Sequence, residues 1–392
     1  MLIEIHMIQN HSPANLNRDD LGAPKTCIFG GFPRARISSQ CLKRSVRRSA
    51  EFAAELKEVG GVRTRRLIEL IAKEAGGEGN LLKEDTKAIR TAFKDGGVPF
   101  KDDSTFDILF FLPYSAVKKM GEAVRNHRSD SKDLGSEFAK IIGEFVKTPD
   151  IALCGRMTEF DAKGPFGELK GRFTVEAALS AAHAISTHAI VNEVDYFVAA
   201  DDVPGPDAGA AHINEAMFNS ACFYKHFVID FDQLKSNLAN DADLAGKTVR
   251  CFLNAAVKAN PSGKQHAYAA FNPPDGVLVE IKTEAATPIS YANAFADPVP
   301  ERAQRGIVGE SIARLGQYAH DLAHGYGIPA NRFWFSPGLR HNLTWIDSGE
   351  TDSAEQVKPV VGPEGQFAIF DKFLTAVMEN VMARDTPVAV VK

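Results

Sequence analysis

Several things are missing from this sequence, and each absence closes off a class of function. No apolar run approaches the roughly 20 residues a helix needs to cross a bilayer. The opening Met1-Leu2-Ile3-Glu4-Ile5-His6 has no basic region, and Glu4 interrupts its apolar residues, so it does not read as a signal peptide. The five cysteines (Cys27, Cys41, Cys154, Cys222 and Cys251) form no C-x-x-C pair, which argues against a zinc ribbon and a disulfide framework and suits a reducing cytoplasm. There is no G-x-S-x-G nucleophile elbow. Gly246-Lys247-Thr248 imitates the end of a phosphate-binding loop, but Asp241 stands where that loop needs glycine, and the segment has helical spacing. With 44% hydrophobic and 24% charged residues in 392, the expectation is a cytoplasmic globular protein with no membrane partner and no cofactor.

Acid is missing from one window. Between Leu21 and Ala50 stand seven basic residues, Lys25, Arg34, Arg36, Lys43, Arg44, Arg47 and Arg48, without one Asp or Glu, in a chain of formal charge −5. A solvated helix face ordinarily interleaves both signs. A one-sign window in an acidic protein points to a polyanion, and nucleic acid is the leading reading.

Along the chain, Leu2 to Ile8 alternates as a strand and Asn10–Pro33 is turn-rich, a long loop. From Ser39 a helix begins: Leu42, Val46, Ser49, Ala53 and Leu56 form one buried stripe, with Gln40, Lys43, Arg44 and Arg47 on another face and Ser38 or Ser39 as N-cap. Arg65–Ala75, Leu81–Lys94, Ser115–His127 and Ser136–Lys147 have helical spacing and read as a helical insertion. Strands return at Glu193–Ala200 and Phe218–Phe231. A helix follows over Asp241–Lys258, then two strands, Gln265–Phe271 and Gly276–Lys282, around an Asn-Pro-Pro-Asp-Gly turn. A helix at Gly306–Gly325 precedes strands at Arg332–Phe335 and Leu343–Ile346, a loop at Ser348–Glu364 and a helix at Gln366–Ala383. This order is compatible with an α+β, ferredoxin-like core interrupted by a helical domain.

The strongest local feature is the loop and helix from Ile28 to Arg48. Gly30 and Gly31 allow close backbone approach to a ligand. Ser38, Ser39 and the N–H groups at the helix start form an anion site, continued by Gln40, Lys43, Arg44 and Arg47. Such a surface holds sugar–phosphate backbone and does not read bases. The Asp201–Asn219 connection carries Ile213, Met217 and Phe218, apolar side chains able to wedge between bases. The metal or acid–base candidates are Asp19-Asp20, His183 with His188, and Asp201-Asp202. Asp19 or Asp20 with Mg²⁺ would make a nuclease.

Asn15-Leu-Asn-Arg-Asp-Asp20, Ile28-Phe-Gly-Gly31, Arg36-Ile-Ser-Ser-Gln40 with Leu42-Lys-Arg44, Asp150-Ile-Ala-Leu-Cys-Gly-Arg-Met157, Ala182-His-Ala-Ile-Ser-Thr-His188, Tyr268-Ala-Ala-Phe-Asn-Pro273 and Ala292-Asn-Ala-Phe295 together resemble the CasC (Cse4) family, the backbone subunit of type I-E CRISPR Cascade. The segments keep the family's order across roughly residues 2 to 300. The resemblance implies a hand: an RNA-recognition-motif-like (ferredoxin-like) palm, helical fingers and a long β-hairpin thumb. The corresponding division is palm 1–59, fingers 60–180, palm 181–200, thumb 201–221 and palm 222–392.

It also implies that several copies stack head-to-tail along a CRISPR guide RNA, with other Cascade subunits, and present the guide to target DNA. Carried over by residue, Arg18, Lys25, Ser38, Gln40, Lys43, Arg44 and Arg47 hold the guide backbone, while Met157, Phe197 and Ile213 touch displaced or flanking bases. Phe32-Pro33 and His266 depart from the family's more basic pattern at those points. Related backbone subunits of other CRISPR types cleave RNA with an aspartate, which keeps Asp19 and Asp20 in view. A metabolic enzyme holding a phosphate at Gly30-Gly31 is the third reading.

Overall fold

The computed structural model describes the chain apart from residues 57–60, 131–132, 145–147, 158–160, 170–173, 200–211, 284–286, 348–355 and 386–392. The first strand, β1 (Leu2–Ala14), continues well past Ile8. The expected long loop instead folds back as a hairpin, β2 (Thr26–Phe29) with β3 (Phe32–Ile37), turning through Gly30 and Gly31 at φ 59° and 82°. Helix α1 (Ser39–Arg47) buries Leu42 and Val46, and its N-cap Ser38 accepts the Cys41 N–H on Oγ. The stripe does not run on as one helix: α1 ends at Arg47 with Arg48 as its C-cap, and α2 (Ala50–Glu55) is separate.

In chain order there follow β4 (Gly61–Thr64), α3 (Leu67–Glu74), α4 (Gly79–Asp95), β5 (Phe110–Pro113), α5 (Tyr114–Asp130), α6 (Leu134–Glu144), α7 (Pro149–Cys154) and β6 (Leu179–Ala181). Next come β7 (Ala184–Ser186), β8 (Glu193–Ala199), β9 (His212–Asp230), α8 (Phe231–Asn237), α9 (Ala242–Lys258), α10 (Gln265–Tyr268) and β10 (Gly276–Lys282). The chain closes with α11 (Gly306–Tyr326), β11 (Asn331–Phe335), β12 (Thr344–Asp347), β13 (Gln356–Pro359), β14 (Gln366–Phe367) and α12 (Phe370–Asp385).

Three expectations need correction. Gln265–Tyr268 is a single helical turn rather than a strand, because the buried Gln265 amide donates to Pro261 O and Ala270 O and closes the loop on itself. Strand β10 pairs instead with β1 and β11. A strand, β13, occupies part of the expected loop before Glu364, pairing with β12, and the last helix starts at Phe370 because Gln366 and Phe367 pair with β11. Gly246-Lys247-Thr248 lies inside α9, where the Thr248 hydroxyl donates to Leu244 O, so it cradles no phosphate.

The class is α+β, in two compact units: Met1–Ser49, Ala181–Val228 and Phe252–Lys392 form the first, and Ala50–Ser180 with Ile229–Cys251 the second. The first is built on a mixed sheet in the order β14-β11-β10-β1-β9-β7-β3-β2. Over one of its faces Ile8, Tyr224, Leu278 and Trp334 pack with Ile312, Leu315 and Ala319 of α11. The second is helical around Phe93, whose ring meets Phe106, Phe110, Phe138 and Phe166 at 5.0 to 5.6 Å between centroids. Leu67, Ile71, Val117, Met120 and Ile142 complete that core.

Alternation of Ile3, Ile5 and Met7 with Glu4 and His6 suggests one wet face on β1, yet all five side chains are buried. Glu4 stands directly across from Glu280 in the β1–β10 register. This like-charge pair persists because Lys282 Nζ reaches Glu4 Oε1 at 2.8 Å and Arg332 Nε reaches Glu280 Oε1 at 2.6 Å. His6 stacks between His226 and Tyr291 at 4.6 and 4.4 Å, with Nε2 3.6 Å from an oxygen of each glutamate. Its Nδ1 lies 2.8 Å from the Tyr224 hydroxyl, which accepts the Tyr291 N–H.

Stability should therefore peak near neutral pH. Burial opposes ionisation of Glu280, but the His6 hydrogen bond and neighbouring cations prevail and hold it at about 2. Burial pulls His226 down to about 4 and His11 to about 3. The stability these histidines contribute is present above their ordinary 6.5 and lost as pH falls toward those values. His6 is opposite in sign: burial opposes its charge, Glu280 and Glu4 override it, and its value lies above 6.5. Its contribution is full below 6.5 and lost as pH rises through the raised value. Urea midpoints from about pH 4 to 9 should show this maximum, and His6→Gln should remove the alkaline decline. A wild-type profile without that decline would contradict the assignment.

Candidate nucleic-acid interface

The segment after β1 is tied down by its own polar residues. Asn17 Oδ1 accepts the Ser38 N–H at 2.9 Å, and Asn15 Nδ2 donates to Gly22 O and Met217 O, both at 2.9 Å. Asp19 Oδ1 accepts from Leu21 N and Ala23 N, each at 2.9 Å, an Asx-type closure of the loop. From the other side comes the turn after α9: a Cβ on Gly263 would stand 2.3 Å from Leu16 O, so only glycine lets the two backbones meet there. Between them lies a cleft of about 490 Å³ whose walls include Arg18, Asp19, Asp20, Arg44, Ser45 and Ser262.

The structure thus brings Arg18 and Arg44 to one cleft. Gln40, Lys43 and Arg47 lie on the same helix, Gln40 exposed and Lys43 and Arg47 half-buried. Arg44 and Arg47 fall in the last turn of α1, where they also complement the helix dipole. Lys25 is half-buried, its backbone bonded to Asn17 O and to the Arg36 N–H. Phe197 is exposed on β8 beside Val194 and Tyr196. Strand β8 pairs with β9 from Glu193↔Phe218 to Ala199↔His212, which sets Ile213 opposite Val198 in the ladder. Much of the expected Asp201–Asn219 connection is therefore strand, and Asp201 and Asp202 lie outside the described residues. Met157 belongs to the second unit and is 83% exposed.

Other features serve the fold. Arg34 is fully buried and donates to Ser186 O, Phe295 O and Ala296 O at 2.7 to 3.0 Å, which removes it from the cations facing solvent. The close approach at Gly30 is to the chain itself: a Cβ there would fall 1.8 Å from Ala296 O, which leaves the phosphate-enzyme reading without its loop. The start of α1 is not an open anion nest, since the Ser39 N–H is taken by His183 Nδ1 at 3.0 Å and the Cys41 N–H by Ser38. His188 Nε2 accepts the Cys222 N–H at 3.2 Å, so the two histidines serve separate backbone sites and make no metal pair.

Sequence reasoning missed the Ser262-Gly263 wall, although Pro-Ser-Gly is a turn signal, and missed His183 as a helix cap. Among the described residues Glu4, His6 and His226 could converge on a metal, their donor atoms lying within 4.8 Å of one another. Lys282 and Arg332 already balance the carboxylates there, so a divalent ion would add charge to a buried site in balance. The donor set suits internal ion pairing.

A family model described as CT1975-like protein matches residues 3–357. The chain belongs to this family. The CT1975-like fold here is similar to a chain of a CRISPR RNA-guided surveillance complex solved in a pre-nicking state, with a TM-score of 0.80, 28% identity, 97% of this chain and 100% of that one covered. A chain of another CRISPR RNA-guided surveillance complex aligns over the same shares with a TM-score of 0.61 and 24% identity, a likeness of fold. No curated protein matches. Among the described residues no helix is long and apolar enough to cross a membrane.

Proposed function

We propose that this CT1975-like protein is a non-catalytic, cytoplasmic backbone subunit of a type I-E CRISPR Cascade, binding guide RNA. The observation that carries the reading is the meeting of Arg18 and Arg44 at one cleft, beside an α1 face bearing Gln40, Lys43 and Arg47 and without acid in its first turn. Kinship with a chain of an RNA-guided surveillance complex supplies the context. Guide–target pairing reads sequence in such assemblies, so the subunit needs only backbone contacts and wedges. The β8–β9 hairpin with Tyr196 and Phe197 acts as thumb, reaching over RNA held by the neighbouring copy, and Met157 adds a contact from the fingers. Copies align head-to-tail along the guide, join the other subunits and offer the spacer to target DNA.

A ferredoxin-like palm is supported by the order β10-β1-β9-β7, with α1 falling between β1 and β7 in sequence and α9 between β9 and β10. The alternative, an RNA endonuclease using Asp19 or Asp20, is weakened at Asp19 by the two backbone N–H groups that its Oδ1 already accepts. End-labelled single-stranded RNA incubated with the purified chain and Mg²⁺, run on native and denaturing gels, separates the two. A laddered shift of intact RNA is the expected result. Shortened RNA, lost in Asp19→Ala or Asp20→Ala, would establish the nuclease, and no shift at low salt would overturn RNA binding.

A further inference from the structure

Helix α11 contributes nothing to the walls of the cleft, yet it carries His320 and His324. Four residues apart is the interval that puts two side chains next to each other on one helix face. Ile312, Leu315 and Ala319 of the same helix lie in the core, whereas His320 is half-buried and His324 exposed. The two rings are 6.0 Å apart between centroids and 18° from parallel. The His320 ring lies flat on Trp345 of β12, at 3.5 Å and 7°, which fixes its orientation. Among the described residues neither histidine makes a hydrogen bond, so the ring nitrogens are not committed to the fold. Asp321 follows His320 and precedes His324 by three, and its Oδ1 accepts the Gln317 amide. Lys358, whose ammonium lies over the Trp345 ring, is paired with Asp347, which leaves the Asp321 carboxylate to favour a cation.

We propose that His320 and His324 bind one divalent late transition ion, Cu²⁺, Ni²⁺ or Zn²⁺, through a nitrogen of each imidazole, with water completing the coordination. Two histidines at i and i+4 are the arrangement by which a helix presents imidazoles to zinc. Metal–nitrogen bonds of about 2.0–2.1 Å span the gap once the exposed His324 ring turns toward His320. Imidazole nitrogen selects these ions over Mg²⁺ and Ca²⁺, which take oxygen donors, and Cu²⁺ binds most tightly of the three. The Glu4, His6 and His226 donors differ: they are buried, and Lys282 already holds Glu4. The α11 pair is open to solvent and has no competing cation of its own. This inference is independent of the RNA reading.

Trp345 supplies the reporter. The chain has two tryptophans; Trp334 is fully buried in the core, and Trp345 touches a proposed ligand. Cu²⁺ held by His320 would quench Trp345 emission by contact. The full chain, freed of metal by a chelator, is titrated with Cu²⁺ by tryptophan fluorescence and with Zn²⁺ by calorimetry, in excess Mg²⁺. The wild type, His320→Gln and His324→Gln are compared. The expected result is saturable quenching by a single ion, indifferent to Mg²⁺. Each variant should bind more weakly by at least the roughly 10- to 100-fold that losing even an outer partner of a metal ligand costs. Quenching that survives in His324→Gln would show that the exposed ring is no ligand. Quenching that survives in both variants would place the ion elsewhere, with Glu4, His6 and His226 the next donors to test. Either result overturns the inference, as does a wild type that neither quenches with Cu²⁺ nor takes up Zn²⁺. Thermal melting without metal checks that the variants fold, and the exposed position of His324 leaves the core untouched by its change.

Discussion

Alanine at both Lys43 and Arg44 should weaken binding of single-stranded RNA by about ten- to a hundredfold near 0.1 M salt and flatten the salt slope by about 1.4, twice the single-strand value of roughly 0.7 per phosphate. The helix's anchoring residues, Leu42 and Val46, stay in place, so the change removes the charge of the exposed Arg44 and the half-buried Lys43 and leaves the buried stripe alone. The structural cost should be small: Arg44 interacts favourably with the helix C-terminus, a contribution of about 0.3–1 kcal/mol. Fluorescence anisotropy across a range of salt concentrations separates the outcomes. A lower slope with unchanged preference among RNA sequences fits backbone contacts. A variant that discriminates between sequences where the wild type does not would mean that α1 reads bases, and an unchanged slope would mean that α1 does not meet RNA.

Lys282→Met should destabilise the protein by about 3–5 kcal/mol, the cost of leaving a buried carboxylate without its cation. Lys282 and Glu4 are 1% and 0% exposed, so no water can stand in for the lost ammonium. Glu4 also receives the Ile289 N–H, which ties the strand to the 289–295 segment. Adding Glu4→Gln to Lys282→Met should recover part of the loss, since an amide in that place is cheaper than an unpaired charge. Urea unfolding of the two single variants and the double variant gives the coupling directly. A Lys282→Met cost below about 1 kcal/mol would show that Glu4 and Glu280 are satisfied without it.

Local structure was legible in the sequence where one period and one cap agree. Ser38 before Leu42 and Val46 marked α1, and helical spacing marked α3, α4, α5 and α6 close to where they lie. The polar layer under the sheet was not legible, because Glu4 and His6 alternate with Ile3, Ile5 and Met7 as residues facing water do. Only Lys282 and Arg332, remote in sequence from β1, make the burial of Glu4 and its cross-strand neighbour Glu280 tolerable. Arg34 misled for the same reason: its partners are carbonyls at 186, 295 and 296, and nothing nearby announces them. Of the cleft, Arg44 was readable from the one-sign window, and Arg18 only from the family resemblance. The Ser262-Gly263 wall was not, since its position depends on a backbone packing against residues 15 and 16.

The clasp of Arg34 and Gly30 on Phe295 and Ala296 also sets an order of events during synthesis. A ribosome delivers the basic window among the first fifty residues, long before the carbonyls that seat its hairpin exist. Strand β1 likewise waits for β9 and β10, so its ladder closes over separations of some two hundred residues or more, a slow kind of closure. Until Ala296 has emerged, the β2–β3 hairpin that carries Arg34 and Arg36 lacks the carbonyls that seat it.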